Sequence, residues 1–450
     1  MKSYAARRAE LIAKMQANGG GVAIIPTSHE VMRNSDADYP YRHDSYFYYL
    51  SGFTEPEAVI VLIASATGKA KRQTILFCRE KDMEREIWDG FRYGPEGARE
   101  AFGFDAAFPI SALDKEIPAL LADAPALYYG LGHDPKLDAQ VQSWLSAVRR
   151  QARSGVSAPA SVQDVNVLLN EMRLFKDEGE MASMKRAAEI SAEAHARAMR
   201  FSRPGLAEYQ IEAELLHEFR RHGADFPAYT SIVATGTNAC VLHYRAGPSV
   251  LKDGDLVLID AGCEFGSYAS DITRTYPANG KFSEPQRVLY EIVLAAQMAA
   301  IAAIQPGKSF NHPHEAAVRV LTQGMLDTGL LDKNKLGSLD DAIANGDYRQ
   351  FYMHRTSHWI GMDVHDVGSY REAGTTLVEQ QEKPWRILHP GMALTIEPGI
   401  YVRPAPGVPE QYWHIGIRIE DDALVTQGGC EIISNGAPKT VAEIESTMKH

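Results

Sequence analysis

Cysteine is scarce in this chain, and what there is forms no pattern. Cys78, Cys240, Cys263 and Cys430 make no C-x-x-C pair. That excludes a zinc-finger framework and argues against a disulfide-stapled secreted fold. Long apolar runs are missing too. The longest, Ala58 to Ala64, falls far short of the roughly 20 residues that span a bilayer. There is no excess of positive charge: 46 Lys and Arg against 58 Asp and Glu leave a net −12. Nucleic acid and anionic membrane surfaces are therefore poor partners. The opening stretch MKSYAARRAELIAKMQ interrupts its apolar positions with charge and reads as an amphipathic helix, not a secretion signal. No Gly-rich phosphate loop, internal repeat or low-complexity tract is visible. The expectation is a cytoplasmic protein that handles neither nucleic acid nor membrane.

What is present is ordinary globular material, 45% hydrophobic and 23% charged, over 450 residues. That length suggests two or three domains. Strand patterns at 21–27, 46–53, 58–64, 73–78 and 126–131 alternate with helical patterns at 6–16, about 111–121 and 135–152. The first 155 residues thus read as an α/β domain. RSGVSAPA, 153–160, reads as a linker. Helices are then expected at about 177–201, 207–223, 284–305 and 312–329, and strands at 392–402 and 413–427. Met181, Met184, Ala188, Ile190 and Ala194 recur at helical spacing and read as core. The second half is α+β, a largely antiparallel sheet with helices on one face. The expected division is 1–175 and 176–450.

The stretch DLVLIDAGCEFGSYASDITRT, 255–275, organises the chain. It reads as two strands joined by a tight turn, with Gly262 and Gly266 supplying the turn chemistry. Asp260 ends the first strand and Asp271 begins the second, so a hairpin sets two carboxylates side by side. Ionised carboxylates taken from water need a partner or a metal. A salt-bridged pair with Arg274 is one reading. A hard divalent cation is the other.

Three more stretches carry chemistry. MHRTSHWIGMDVHD, 353–366, places His354, His358 and His365 close together with Gly361 and two aspartates. Histidine is the commonest transition-metal ligand and the usual proton carrier near neutral pH. GMALTIEPGIYV, 391–402, sets Glu397 and Thr395 opposite Leu394 and Ile396. WHIGIRIEDD, 413–422, sets Gly416, Arg418 and Glu420 opposite Ile415, Ile417 and Ile419. A half-solvated sheet explains either strand alone. It does not explain why both strands, the hairpin and the histidines offer cation ligands together. The set is Asp260, Asp271, His358, Glu397 and Glu420. Four acids in one place repel unless cations balance them. Two dications would do so, about 3.5–4 Å apart as in two-metal hydrolases. One imidazole among oxygens suits Mn²⁺, with Co²⁺ or Zn²⁺ as alternatives.

The order Asp, Asp, His, Glu, Glu in DGDLVLIDAG, SDITRTYPANGKF, SHWIGMDVHDVG, LTIEPGIYV and IGIRIEDD resembles the pita-bread-fold metallopeptidases. Within them the chain looks most like the aminopeptidase P (Xaa-Pro aminopeptidase) group. MRNSDADYPYRHDSYFYYLSGFTEPEAV and EIWDG extend the likeness through the first half. The resemblance implies a pita-bread catalytic domain behind a creatinase-like α/β domain that serves oligomerisation, in a dimer or tetramer. It implies that Asp260 is a terminal ligand of one ion, that His358 and Glu397 serve the other, and that Asp271 and Glu420 bridge. A hydroxide between the ions would be the nucleophile, with Glu397 as general base. His243 and His365 would contact the substrate carbonyl, and His354 would line the substrate pocket. Tyr401 and Arg418 would order the site behind the ligands. Trp88 would reach toward a neighbouring subunit's site, unless it is simply a packed indole. The substrates implied are peptides with proline second.

Other readings share this fold. A prolidase would cut Xaa-Pro dipeptides with the same ligands. A non-catalytic binding module, or a metal-independent creatinase-like hydrolase, would not retain all five. One departure stands out: Arg355 follows the first histidine of the cluster, where the family usually has glycine. A bulky cation there narrows or recharges the pocket. The stretch 371–385 matches only loosely and is assigned nothing.

Overall fold

The computed structural model describes residues 2–65, 73–372 and 383–449. The chain divides into two compact units, Met1–Met172 and Arg173–His450.

The first unit is built on a six-stranded mixed sheet. Its order is Ala106–Pro109, Thr74–Cys78, Val59–Ala64, Gly21–Pro26, Ala126–Tyr128 and Ser161–Gln163. The pairings from Thr74–Cys78 to Gly21–Pro26 are antiparallel and the outer ones parallel. Helices Leu113–Leu121 and Pro135–Arg149 bury Ile117, Leu121, Val141 and Trp144 against it.

Two expectations fail here. YFYYLSGF is not a strand: Ser45–Ser51 is a helix. Asp44 caps it by accepting from the Phe47 amide at 2.9 Å, and Gly52 ends it at φ 67°. Local capping thus overrides the aromatic strand propensity. RSGVSAPA does not link the units either. The chain re-enters the first sheet at Ser161–Gln163, parallel to Ala126–Tyr128.

In the second unit the named strand pairs are all antiparallel. Ile232–Thr235, Leu256–Asp260 and Thr273–Pro277 form one sheet, with Ile259 opposite Arg274 and Asp260 opposite Thr273. Ala393–Ile396, Asp421–Thr426 and Gly429–Ile432 form a second, and Gly399–Tyr401 pairs with Gly416–Arg418. Cross-links join them at the site: the Glu420 amide donates to the Thr273 carbonyl at 3.0 Å, and Thr275 Oγ1 donates to the Arg418 carbonyl at 3.0 Å.

The link between Leu256–Asp260 and Thr273–Pro277 is not a simple tight turn. It contains a hairpin of its own, Cys263–Phe265 with Tyr268–Ala269, which joins a separate sheet. The turn proper is Gly266–Ser267, both at positive φ. Gly262 is required by close approach: a Cβ there would lie 1.8 Å from the Ser270 carbonyl oxygen.

Helices Glu178–Phe201, Glu208–Arg221, Glu284–Ala303 and His312–Asp327 contribute to this unit's core. Glu178–Phe201 starts in a capping box of Asp177 and Glu180. It buries Met184, Ala188, Ile190 and Ala194 as their spacing predicts, with Met181 half-buried.

Candidate metal centre

Each expected ligand is set by the end of a strand or by a loop paired to one. Asp260 ends Leu256–Asp260, and Asp271 lies two residues before Thr273–Pro277. Glu397 follows Ala393–Ile396, and Glu420 follows Gly416–Arg418. His358 is on a loop, but the loop runs beside a strand. The Thr395 amide donates to the His358 carbonyl at 3.0 Å, and the Glu397 amide to the Thr356 carbonyl at 2.8 Å. That register brings His358 Nε2 within 3.8 Å of Glu397 and 3.5 Å of Asp271. The same loop is anchored by Asp366, buried with Arg173 at 2.6 Å and Lys176 at 2.9 Å. The aspartates flanking the histidines therefore hold the loop and do not line the cavity.

All five converge on one cavity of about 540 Å³, which His243, His354, His365 and Arg418 also line. Ligand atoms of Asp271, His358 and Glu420 lie within 4.8 Å of one another. Arg274 is not the partner of the hairpin acids. It turns to the other face and pairs with Asp421 at 2.7 Å. Arg418 takes that place, reaching Asp260 Oδ2 at 2.6 Å, the Tyr401 hydroxyl at 2.9 Å and Thr273 Oγ1 at 3.1 Å. The half-solvated sheet is excluded as well, because Thr395, Arg418 and Glu420 are all buried.

The electrostatics record an uncompensated excess of acid. Burial, then Asp271, Glu397 and Asp260, push the Glu420 carboxyl well above its usual range. Burial raises Glu397 to about 7 despite His358 and Arg418. Burial, with Asp271, also raises Asp260. Burial pushes Asp271 up as well, but its hydrogen bond to His358 and that ring's charge outweigh it and hold Asp271 low. Burial would discharge His358, yet Asp271 and Glu397 raise it to about 9.

These features fit a divalent-ion site. His358 Nδ1 donates to the Trp359 carbonyl at 2.9 Å, which leaves Nε2 for the carboxylate side. The hydrogen-bonded carboxylate oxygens each keep a further lone pair. Cations there would relieve the repulsion that lifts Glu420.

The remaining histidines take distinct places. His365 stacks on His358, with centroids 3.9 Å apart and planes 10° apart. His354 Nε2 bonds the Tyr401 hydroxyl at 2.8 Å, and burial lowers its pKa to about 3. His243 stands on the exposed side of the cavity. Trp88 belongs to the first unit and is 82% exposed, so it is not a packed indole.

Sequence reasoning missed Tyr229, whose hydroxyl bonds both Asp260 and Asp271. Nothing in AYTS marks it, since its partners lie 31 and 42 positions away. Thr273, which donates to Glu420 at 2.7 Å, lay inside a motif already singled out.

The sequence pattern of "Metallopeptidase family M24" matches residues 182–427, and that of "Aminopeptidase P, N-terminal domain" matches 4–128. Xaa-Pro aminopeptidases of Escherichia coli K12 and Haemophilus influenzae are each 43% identical over 447 residues, 99% of this chain and 97% of theirs. Among solved structures, Pseudomonas aeruginosa aminopeptidase PepP superposes with a TM-score of 0.93 at 51% identity, covering 99% of this chain and 97% of that one. A zinc-substituted E. coli aminopeptidase P in complex with product gives 0.92 at 43%, covering 99% and 98%.

Proposed function

The chain belongs to metallopeptidase family M24, with an aminopeptidase P N-terminal domain before a pita-bread catalytic domain, and on that premise we propose that it is an Xaa-Pro aminopeptidase. It releases the first residue of peptides whose second residue is proline. The observation that carries this reading is the convergence of Asp271, His358 and Glu420 within 4.8 Å, with Asp260 and Glu397 lining the same cavity.

Asp260, Asp271, His358, Glu397 and Glu420 would hold two divalent ions, with Mn²⁺ the proposed metal. When bound, such ions supply Lewis acidity and an acidified water. The chain's own residues do the rest. Glu397 lines the cavity beside His358, where its carboxylate can take a proton from the attacking water and pass it to the leaving imide nitrogen. His243 and His365 line the cavity where they can donate to the carbonyl oxygen as charge develops on it. Tyr401 holds His354 against the substrate side, and Arg418 ties Tyr401 to Asp260. Proline second gives a rigid imide with no N–H, so a site that demanded that hydrogen bond would reject it.

All four cysteines are unpaired, and no described helix is long and apolar enough to cross a membrane. The free thiols support a cytoplasmic location. Exposed Ile87, Trp88 and Phe91 support an assembly role for the first unit, with Trp88 reaching a neighbour's site in a dimer or tetramer.

The test is cleavage, with Mn²⁺ added, of a Xaa-Pro dipeptide and a longer Xaa-Pro peptide. Release of only the first residue from the longer peptide is expected. Cleavage of the dipeptide alone would make the chain a prolidase and overturn the proposal.

A further inference from the structure

Arg355 stands where the resemblance leads one to expect glycine, and it is built into the cavity. Its guanidinium carbon lies 4.5 Å from the centroid of the Trp385 ring, and that of Arg371 lies 3.5 Å from the same centroid. All three side chains line the cavity that holds the acids. Arg355 and Trp385 also line a second cavity of about 550 Å³, shared with His314, Arg319 and Arg349. Arg355 therefore stands where the two cavities meet.

Two guanidiniums over one indole repel each other, and cation–π attraction at exposed sites recovers only about 0.5–1 kcal/mol. Arg355 also bonds the side-chain oxygen of Asn311, which is neutral. Among the described residues no carboxylate forms an ion pair with Arg355. A planar guanidinium held in this way presents a fork matched to a carboxylate.

The ligand's position follows from the reaction, and this step rests on the function proposed above. An aminopeptidase has one residue before the scissile bond, so most of an extended cavity takes residues after it. We propose that Arg355, supported by Trp385 and Arg371, forms a carboxylate-binding subsite for the leaving side of the substrate. The carboxylate is either the C-terminus of a short peptide or an Asp or Glu side chain just after the proline.

The experiment measures kcat/KM on the Mn²⁺-loaded full chain with two matched pairs. One pair is a Xaa-Pro-Ala free acid and its C-terminal amide. The other is Xaa-Pro-Asp-Ala-amide and Xaa-Pro-Asn-Ala-amide. The carboxylate-bearing member of at least one pair is expected to be favoured about tenfold. That preference should vanish in Arg355→Gly and Arg355→Met and persist in part in Arg355→Lys. The pair that responds identifies the source of the carboxylate. A second readout is calorimetric binding of the product matching the responding pair, Pro-Ala against Pro-Ala-amide or Pro-Asp-Ala-amide against Pro-Asn-Ala-amide, which should show the same dependence on Arg355. Equal cleavage of all four peptides by wild type and variants overturns the subsite and leaves the aminopeptidase reading standing. Failure to cleave any of them overturns both.

Discussion

The hydroxyl of Tyr229 lies 2.6 Å from Oδ1 of Asp260 and 2.6 Å from Oδ1 of Asp271. A phenol carries one proton and donates to one acceptor at a time. Burial and both acids push its pKa well above the ordinary value, so it stays a donor. It holds the two hairpin carboxylates facing one point.

Tyr229→Phe should therefore weaken divalent-ion binding about 10–100-fold, the usual effect of losing a partner behind the ligands. Calorimetric titration with Mn²⁺ checks this, with circular dichroism to confirm the fold. Unchanged affinity would mean that Tyr229 only fills space.

Arg418 compensates Asp260 inside the site. Its side chain is 5% exposed and that of Asp260 is 14% exposed. Arg418→Ala should cost about 3 kcal/mol in chelator-treated protein, because it strands a buried carboxylate. Urea unfolding with and without Mn²⁺ measures this. The loss should shrink with Mn²⁺ present, since a cation then compensates Asp260.

The histidine at the centre predicts a pH dependence. His358 is raised from 6.5 to about 9. A raised folded-state pKa means that the folded chain holds the proton more tightly. The resulting stability is fully present below 6.5 and is lost as pH rises through about 9. Thermal unfolding of metal-free protein should fall across this window, and Mn²⁺-loaded protein should be much less sensitive. A rising melting temperature in the metal-free protein would contradict this.

Asp271→Ala removes an acid that the resemblance makes a bridge. Activity should be lost, and elemental analysis should find fewer than two ions per chain. Wild-type turnover with both ions retained would contradict the dinuclear arrangement.

Most of the second unit was legible in the sequence because its signals are local. Leu394 and Ile396 alternate with Thr395 and Glu397, and Met184, Ala188, Ile190 and Ala194 recur at helical spacing. That the four acids share one cavity was legible because acids at strand ends have few structural uses. The Ser45–Ser51 helix was misread because four of its seven residues are aromatic or β-prone, while one cap residue decided the matter. The alternative that paired Arg274 with the hairpin acids fails because the strand's faces could be told apart in the sequence but not assigned to core or cavity. Tyr229 was invisible because its contacts with Asp260 and Asp271 arise only in the tertiary structure.

The most direct test of the central claim is a titration of chelator-treated protein with Mn²⁺, following release of the first residue from a Xaa-Pro peptide. The account predicts two ions bound per chain and full activity only when both are present. Saturating activity at one ion per chain, or activity that survives complete removal of metal, would contradict it.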